Sequence, residues 1–197
     1  MIKGILFDLD GVLVDAVTLH QNAFIKAIKP HKTISIKYHQ KYLNGLPTRK
    51  KLEKFGFNKE KIEEINQRKQ KITQQLIPKL IHPIAEVVSS INKIKEMGIP
   101  FAICSNCVHE TVKLVLETIK LSGYSFFISN EDVIHPKPNP EMYNTAIKRL
   151  GLKPSQVLIV EDTQIGLEAA KASGAHYFRI ANPYEISKVL EELCRLK

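Results

Sequence analysis

Cysteine is scarce in this chain, three in 197 residues. A small odd number builds no disulfide framework. Cys104-Ser-Asn-Cys107 has Cys-x-x-Cys spacing but lacks the second pair of a four-ligand zinc set. We read that spacing as incidental, with Cys104 buried at a strand end and Cys194 an ordinary helix residue. No apolar run approaches the roughly 18–20 residues that span a bilayer. Asp8 interrupts the N-terminal stretch too early for a signal-peptide apolar region of about 7–15 residues. Internal repeats and low-complexity linkers are also missing. These absences predict a soluble cytoplasmic protein with reduced thiols and no membrane partner. With 44% hydrophobic and 25% charged residues, the chain is neither disordered, collagen-like nor a coiled coil. It suits one ordinary domain, or one carrying a modest insertion.

Acidic residues are missing from one stretch in particular. Between Ala16 and Ile81 stand 15 Lys/Arg and only 4 Asp/Glu, whereas the remainder holds 14 against 16. The whole net charge of +9 therefore comes from that block. The asymmetry predicts two modules with different work, residues 1–15 with 82–197 and residues 16–81.

Outside the basic block the pattern is strand then helix. Ile2–Phe7 is apolar apart from Lys3 and does not alternate, as a parallel strand buried on both faces should read. Apolar strands recur at Met97–Cys104, Phe126–Ser129, Val157–Val160 and His176–Ile180. Helical patterns follow through Val112, Val115, Leu116 and Ile119, from Met142 to Leu150, from Ile165 to Ala172, and through Ile186, Val189, Leu190 and Leu193. That alternation predicts an α/β fold, a doubly wound parallel sheet of Rossmann-like type, with ligands bound beyond the carboxyl ends of its strands. The basic block shows two helical stripes, Leu19/Ala23/Phe24/Ala27/Ile28 and Ile62/Ile65/Ile72/Leu76, with no convincing strand. It predicts a small all-helical insertion after the first strand.

Unusual residues collect at the strand ends. Strand one runs into Asp8-Leu9-Asp10-Gly11, where the two acids would share one side of an extended chain. The second runs into Ser105-Asn106, and the fourth into Glu161-Asp162-Thr163. Lys137 lies between Pro136 and Pro138 in a stiffened loop. Taken singly, Asp-x-Asp is turn chemistry, Ser105 and Thr163 are helix caps, and Lys137 is a solvated charge. Taken together, four acids, one Lys and one Ser at the strand ends of one sheet have no stability rationale. Two unit charges 4 Å apart interact by about 4 kcal/mol at an effective dielectric near 20, so four carboxylates do not converge unaided. One divalent cation and Lys137 would bring their charge from −4 to −1, and a proton on Asp10 would bring it to zero. Oxygen-only ligands favour a hard cation such as Mg²⁺, which also accepts a phosphate oxygen. The pattern thus predicts a metal and an anionic substrate.

At these residues the sequence resembles the haloacid dehalogenase superfamily. Four motifs match in order: Asp8-Leu-Asp-Gly-Val-Leu-Val-Asp15, Ile103-Cys-Ser-Asn106, Lys137-Pro-Asn-Pro-Glu-Met-Tyr143 and Val160-Glu-Asp-Thr-Gln-Ile-Gly-Leu-Glu-Ala-Ala-Lys-Ala-Ser-Gly174. The helical insertion resembles the cap of the group that contains phosphoglycolate phosphatase and β-phosphoglucomutase. The resemblance implies that Asp8 attacks phosphorus to form an aspartyl-phosphate, and that Asp10 protonates the leaving oxygen and then activates water. It implies Mg²⁺ held by Asp8, the Asp10 backbone carbonyl and Asp162, with Glu161 ligating or orienting a metal-bound water. It places the phosphoryl group at Ser105, Asn106 and Lys137, approached by the backbone at Gly11.

Dehalogenases of the superfamily use the same nucleophile on carbon without a metal, and the presence of Asp10, Glu161 and Asp162 favours phosphate chemistry. Against the mutase pattern, His20 is in place. Ala16 replaces a hydroxyl residue, and Thr48 stands where the mutase carries Arg, with Arg49 one position later. We therefore favour a phosphatase acting on a small phosphorylated metabolite over a sugar-phosphate mutase. A non-catalytic binder of a phosphorylated ligand would have no need of Asp10. His20, Gly45, Thr48 and Arg49 are the candidate substrate contacts of the cap, although Arg49-Lys50-Lys51 also reads as a solvated charge run. The pI of about 9.4 invites a nucleic-acid partner. The block lacks a binding motif, and its aromatics Phe24, Tyr38, Tyr42, Phe55 and Phe57 are expected in a small helical core, which argues against one.

Overall fold

Gly4–Phe7 carries no polar side chain and every one of its residues is buried, the condition of a strand covered on both faces. In the computed structural model, which describes residues 1–43 and 46–196, this segment is β1. It is joined by β2 (Phe101–Cys104), β3 (Phe127–Ile128), β4 (Val157–Glu161) and β5 (His176–Arg179). All pairings are parallel and the order is β3-β2-β1-β4-β5. Phe7 is in register with Ile103 on one side and Val160 on the other. β1, β2 and β4 are buried throughout, while the edge strand β5 is mostly exposed. The sheet is the doubly wound α/β type. Its direction of strand addition reverses between β1 and β4, so the loops after these two strands part and leave a crevice at their carboxyl ends.

One face of the sheet, carrying Leu6, Ala102, Cys104 and Ile159, packs against Met142, Tyr143 and Ala146 of α7 (Glu141–Arg149) and Ala169 and Ala170 of α8 (Gln164–Ala172). On the other face the Phe7 and Phe101 rings meet edge to face at 5.9 Å. Helices α5 (Ala85–Glu96), α6 (His109–Thr118) and α9 (Lys188–Arg195) complete the wrapping. Helix α5 is absent from the alternation above, although Val87, Ile91 and Ile94 recur at helical spacing and are buried.

The chain divides into two compact units, Met1–Asp15 with His82–Lys197, and Ala16–Ile81. Among its described residues the second unit contains four helices where the sequence showed two stripes: α1 (Val17–Ile28), α2 (Ile36–Tyr42), α3 (Thr48–Glu53) and α4 (Lys59–Leu80). Helix α3 is too short for a period to emerge, and α2 buries only His39, so neither carries a stripe. Helix α4 starts at Asn58, whose side chain accepts from Lys61 N, and packs along α1. Phe24, Ala27, Ile28, Leu43, Leu52, Ile62 and Ile65 form the core of this unit. The aromatics do not all enter that core as expected. Phe24 is in that core and Phe55 and Phe57 pack against it, but Tyr38 and Tyr42 lie on the surface, 5.0 Å apart, because α2 turns its one buried face around His39.

Candidate active site

Backbone bonds that extend the sheet fix each strand-end residue. Asp8 N donates to Val160 O at 3.0 Å, Ser105 N to Ile128 O at 2.9 Å, and Ile180 N to Glu161 O at 3.0 Å. A site built on strand ends inherits the rigidity of the core. After Asp8 the chain folds tightly, Leu13 N and Val14 N donating back to Leu9 O, so Leu9 is wholly buried. Asp8 and Asp10 therefore do not sit on a continuing strand as the extended-chain reading required.

The centre of the site is the Lys137 ammonium. Read alone as a solvated charge, it is 5% exposed, and its three N–H donors meet three acceptors: Asp8 Oδ1 at 2.6 Å, Glu161 Oε1 at 2.6 Å and Cys104 O at 2.7 Å. Asn106 holds the Lys137 backbone from both sides, accepting from Lys137 N and donating to Lys137 O, each at 3.1 Å. Its side chain is thus engaged with the lysine loop, a different partner from the phosphate assigned in the sequence reading. Burial works against the charge on Lys137, but Asp8, Tyr143 and Glu161 outweigh it and hold its pKa well above the usual lysine value.

Glu161 is wholly buried and saturated with donors. Oε1 accepts from Lys137 and from the Tyr143 hydroxyl at 2.6 Å, and Oε2 from Asp162 N, Thr163 N and Thr163 Oγ1 at 3.2–3.4 Å. Thr163 also caps α8, accepting from Gly166 N at 3.2 Å. A Cβ at Gly166 would overlap the Glu161 carboxylate, which is why glycine opens that helix turn. Tyr143, whose hydroxyl binds Glu161, is a residue of the site that the sequence reading missed. It lies inside the Lys137–Tyr143 motif, but an aromatic at the start of a helix reads as core.

Asp8, Glu161 and Asp162 each bring a carboxylate oxygen within 4.8 Å of the others. At that separation each pair repels by at least about 3.5 kcal/mol at an effective dielectric near 20, and Lys137 supplies one positive charge against three. Burial and the Glu161 charge push the Asp8 carboxyl well above its usual range, more than Lys137 draws it down. The same two causes raise Asp162 to about 6. Asp162 Oδ1 is buried with no hydrogen-bond partner among the described residues. Gly11, at φ 90°, leaves room that a Cβ would take from the Asp162 carboxylate; its close approach is to Asp162. Three converging carboxylates, an orphaned buried oxygen and an oxygen-only donor set fit a hard divalent cation.

Asp10 stands outside that trio. Cys107 Sγ donates to its Oδ2 at 3.1 Å, so Cys107, read as incidental, touches a candidate acid. Ser105 is buried and its Oγ accepts from Cys107 N at 3.1 Å. The cap candidates belong to the other unit. His20 is half-buried with Lys69 Nζ 3.3 Å from its Nδ1. Thr48 opens α3, and Arg49 is at the surface, paired with Glu53 at 3.1 Å. Gly45 lies outside the described residues.

A family model described as haloacid dehalogenase-like hydrolase matches residues 5–180. A phosphoglycolate phosphatase of Aquifex aeolicus is 30% identical over 87% of this chain and 81% of its own length. Pyrophosphatase PpaX of Bacillus velezensis is 26% identical over 99% and 94%. Among solved structures, a family IA, variant 3 hydrolase of the same superfamily from Entamoeba histolytica superposes with a TM-score of 0.82 at 23% identity, covering 96% of this chain and 89% of that one. None of the described helices is long and apolar enough to cross a membrane.

Proposed function

Because the chain belongs to the haloacid dehalogenase-like hydrolases, and is a phosphoric monoester hydrolase of their phosphoglycolate phosphatase and β-phosphoglucomutase-like group, we propose that it is a Mg²⁺-dependent phosphatase. Its substrate is a small phosphorylated metabolite and its intermediate is a phosphorylated Asp8. The observation that carries this reading is the Lys137 clamp, which holds Asp8 Oδ1 and Glu161 Oε1 at 2.6 Å beside the orphaned oxygen of Asp162.

In this mechanism Lys137 fixes the Asp8 rotamer through Oδ1 and leaves Oδ2, which accepts no hydrogen bond among the described residues, to attack phosphorus. The P–O bond to the leaving group breaks as the Asp8 O–P bond forms, and Asp10 gives its proton to the departing oxygen. Asp10 then takes a proton from the water that attacks the acyl-phosphate, releasing phosphate and restoring Asp8. Ser105 holds a phosphoryl oxygen through its hydroxyl, with Gly11 beside it, while Lys137, its three donors engaged by Asp8, Glu161 and Cys104, acts on the phosphoryl group through its charge. Asn106 positions Lys137, and Glu161 positions Lys137 and Asp162. Asp8, Asp162 and the Asp10 backbone carbonyl would hold Mg²⁺, with Glu161 behind them. When bound, the cation neutralises the carboxylates and the transferring phosphoryl group. The Ala16–Ile81 unit serves as the substrate-selecting cap, with His20, Thr48, Arg49 and Gly45 as candidate contacts.

Hydrolysis of 4-nitrophenyl phosphate, with Mg²⁺ and with EDTA, tests this function. Wild type is expected to release phosphate only with Mg²⁺, and Asp8→Asn to release none. Equal release by both proteins would contradict the reading.

A further inference from the structure

Inside the Ala16–Ile81 unit a lysine is buried without an acidic partner among the described residues. Lys51, on α3, is 8% exposed, and its ammonium makes one hydrogen bond among the described residues, to Nε2 of His39 at 3.1 Å. His39 is itself 2% exposed, and its other ring nitrogen faces the Gln21 amide at 3.4 Å. The Lys51 ammonium also sits over the Phe24 ring, 5.2 Å from its centroid, a cation–π contact. Two of the three N–H donors of Lys51 therefore have no acceptor among the described residues.

The four acids of this unit are engaged elsewhere or exposed. Glu53 pairs with Arg49 and Lys50, Glu64 with Lys61 and His31, and Glu63 accepts from the Gln67 amide, while Glu60 is exposed in the first turn of α4. A second buried lysine, Lys69, lies close enough to repel Lys51. Burial and that repulsion lower Lys51 to about 8, and burial and Lys51 together lower His39 to about 4, so His39 is the neutral acceptor. A buried ammonium whose one hydrogen-bond acceptor is neutral is costly to the fold unless an anion completes it.

We propose that the Ala16–Ile81 unit holds an anion site, built on Lys51 with His39 and Gln21 behind it, that takes a carboxylate or phosphate group. Lys51 donates its two remaining protons to the anion while its ammonium stays over the Phe24 ring. The anion is either the second charged end of the phosphomonoester, which rests on the phosphatase reading above, or a separate ion.

The test reads His39 rather than turnover. Its ring signal, identified with His39→Gln, is followed by NMR at constant ionic strength and pH 7 as inorganic phosphate is added. A saturable shift is expected in wild type and in Ser105→Ala, whose core phosphate contact is lost. In Lys51→Met the midpoint rises at least about tenfold, and Lys51→Arg restores most of it, as loss and recovery of charge-assisted bonds require. No saturable shift in wild type, or the same midpoint in Lys51→Met, overturns the site. Because Lys51→Met keeps the apolar stem, a folded variant is expected; should it unfold, Lys51→Gln supplies the same comparison. Kinetics then separate the two sources. For 3-phosphoglycerate and glycerol 3-phosphate, which differ in a terminal carboxylate, a fall of about tenfold in wild-type preference on Lys51→Met assigns the site to the substrate's charged end. Parallel changes for both esters, with the NMR result intact, assign it to a separate anion.

Discussion

The Tyr143 hydroxyl donates to Glu161 Oε1 at 2.6 Å, on the same oxygen that receives the Lys137 ammonium. Both residues are wholly buried. Burial, ahead of the neighbouring charges, holds the phenol pKa well above its usual value, so the hydroxyl stays protonated and donates. Tyr143→Phe is therefore expected to lower unfolding free energy by about 1.5–3 kcal/mol, the range for a buried hydrogen bond to a charged group. It should also reduce turnover by loosening Lys137. Urea denaturation checks the first, and a loss below 0.5 kcal/mol, on the order of an exposed substitution, would contradict it.

Asp162 predicts effects of opposite sign with and without cation. Its raised pKa means that the charged carboxylate is disfavoured in the fold. The penalty is absent below its unfolded value near 3.8, grows as pH rises, and is fully present above about 6. At pH 7.5 in EDTA, Asp162→Asn should be more stable than wild type by about 1–3 kcal/mol. Saturating Mg²⁺ at about 100 times its Kd should stabilise wild type by about 2.7 kcal/mol and the variant far less. Thermal melts with and without Mg²⁺ check both; equal Mg²⁺ responses would contradict the ligand set.

His39 gives a pH signature in the other unit. Burial and the Lys51 charge favour its neutral form, so it contributes stability that is present above pH 6.5 and lost as pH falls towards about 4. Its NMR titration midpoint is expected near 4, and higher in Lys51→Met, where the repelling charge is gone. A midpoint near 6.5 in wild type would contradict its burial beside a cation.

Ala16 and Thr48 stand where the mutase pattern has a hydroxyl residue and an arginine. Incubation with β-glucose 1-phosphate and a bisphosphate primer is expected to give free phosphate and no glucose 6-phosphate. Accumulation of glucose 6-phosphate would show a mutase.

The sheet and the residues at its strand ends were legible because a parallel strand buried on both faces reads as an unbroken apolar run. Asp8, Ser105 and Glu161 each follow or end such a run, and ladder bonds to neighbouring strands fix their places. The partners were not legible. Asn106 and Tyr143 matter through Lys137 and Glu161, 31 residues away in one case and 18 in the other, and their residue types suit many settings. Arg49-Lys50-Lys51 shows the limit most clearly. Read as one charge run, it divides on a helix into two exposed side chains paired with Glu53 and one buried beside His39. Helices α2 and α3 escaped because neither presents an apolar stripe.

The most direct measurement traps the covalent intermediate. Enzyme turning over a phosphomonoester with Mg²⁺ is quenched with borohydride, which reduces an aspartyl-phosphate to homoserine, and the peptides are weighed. Homoserine at position 8, dependent on both substrate and Mg²⁺, is the expected result. Turnover with an unmodified Asp8, or with the label on another residue, would contradict the assignment of Asp8 as the nucleophile.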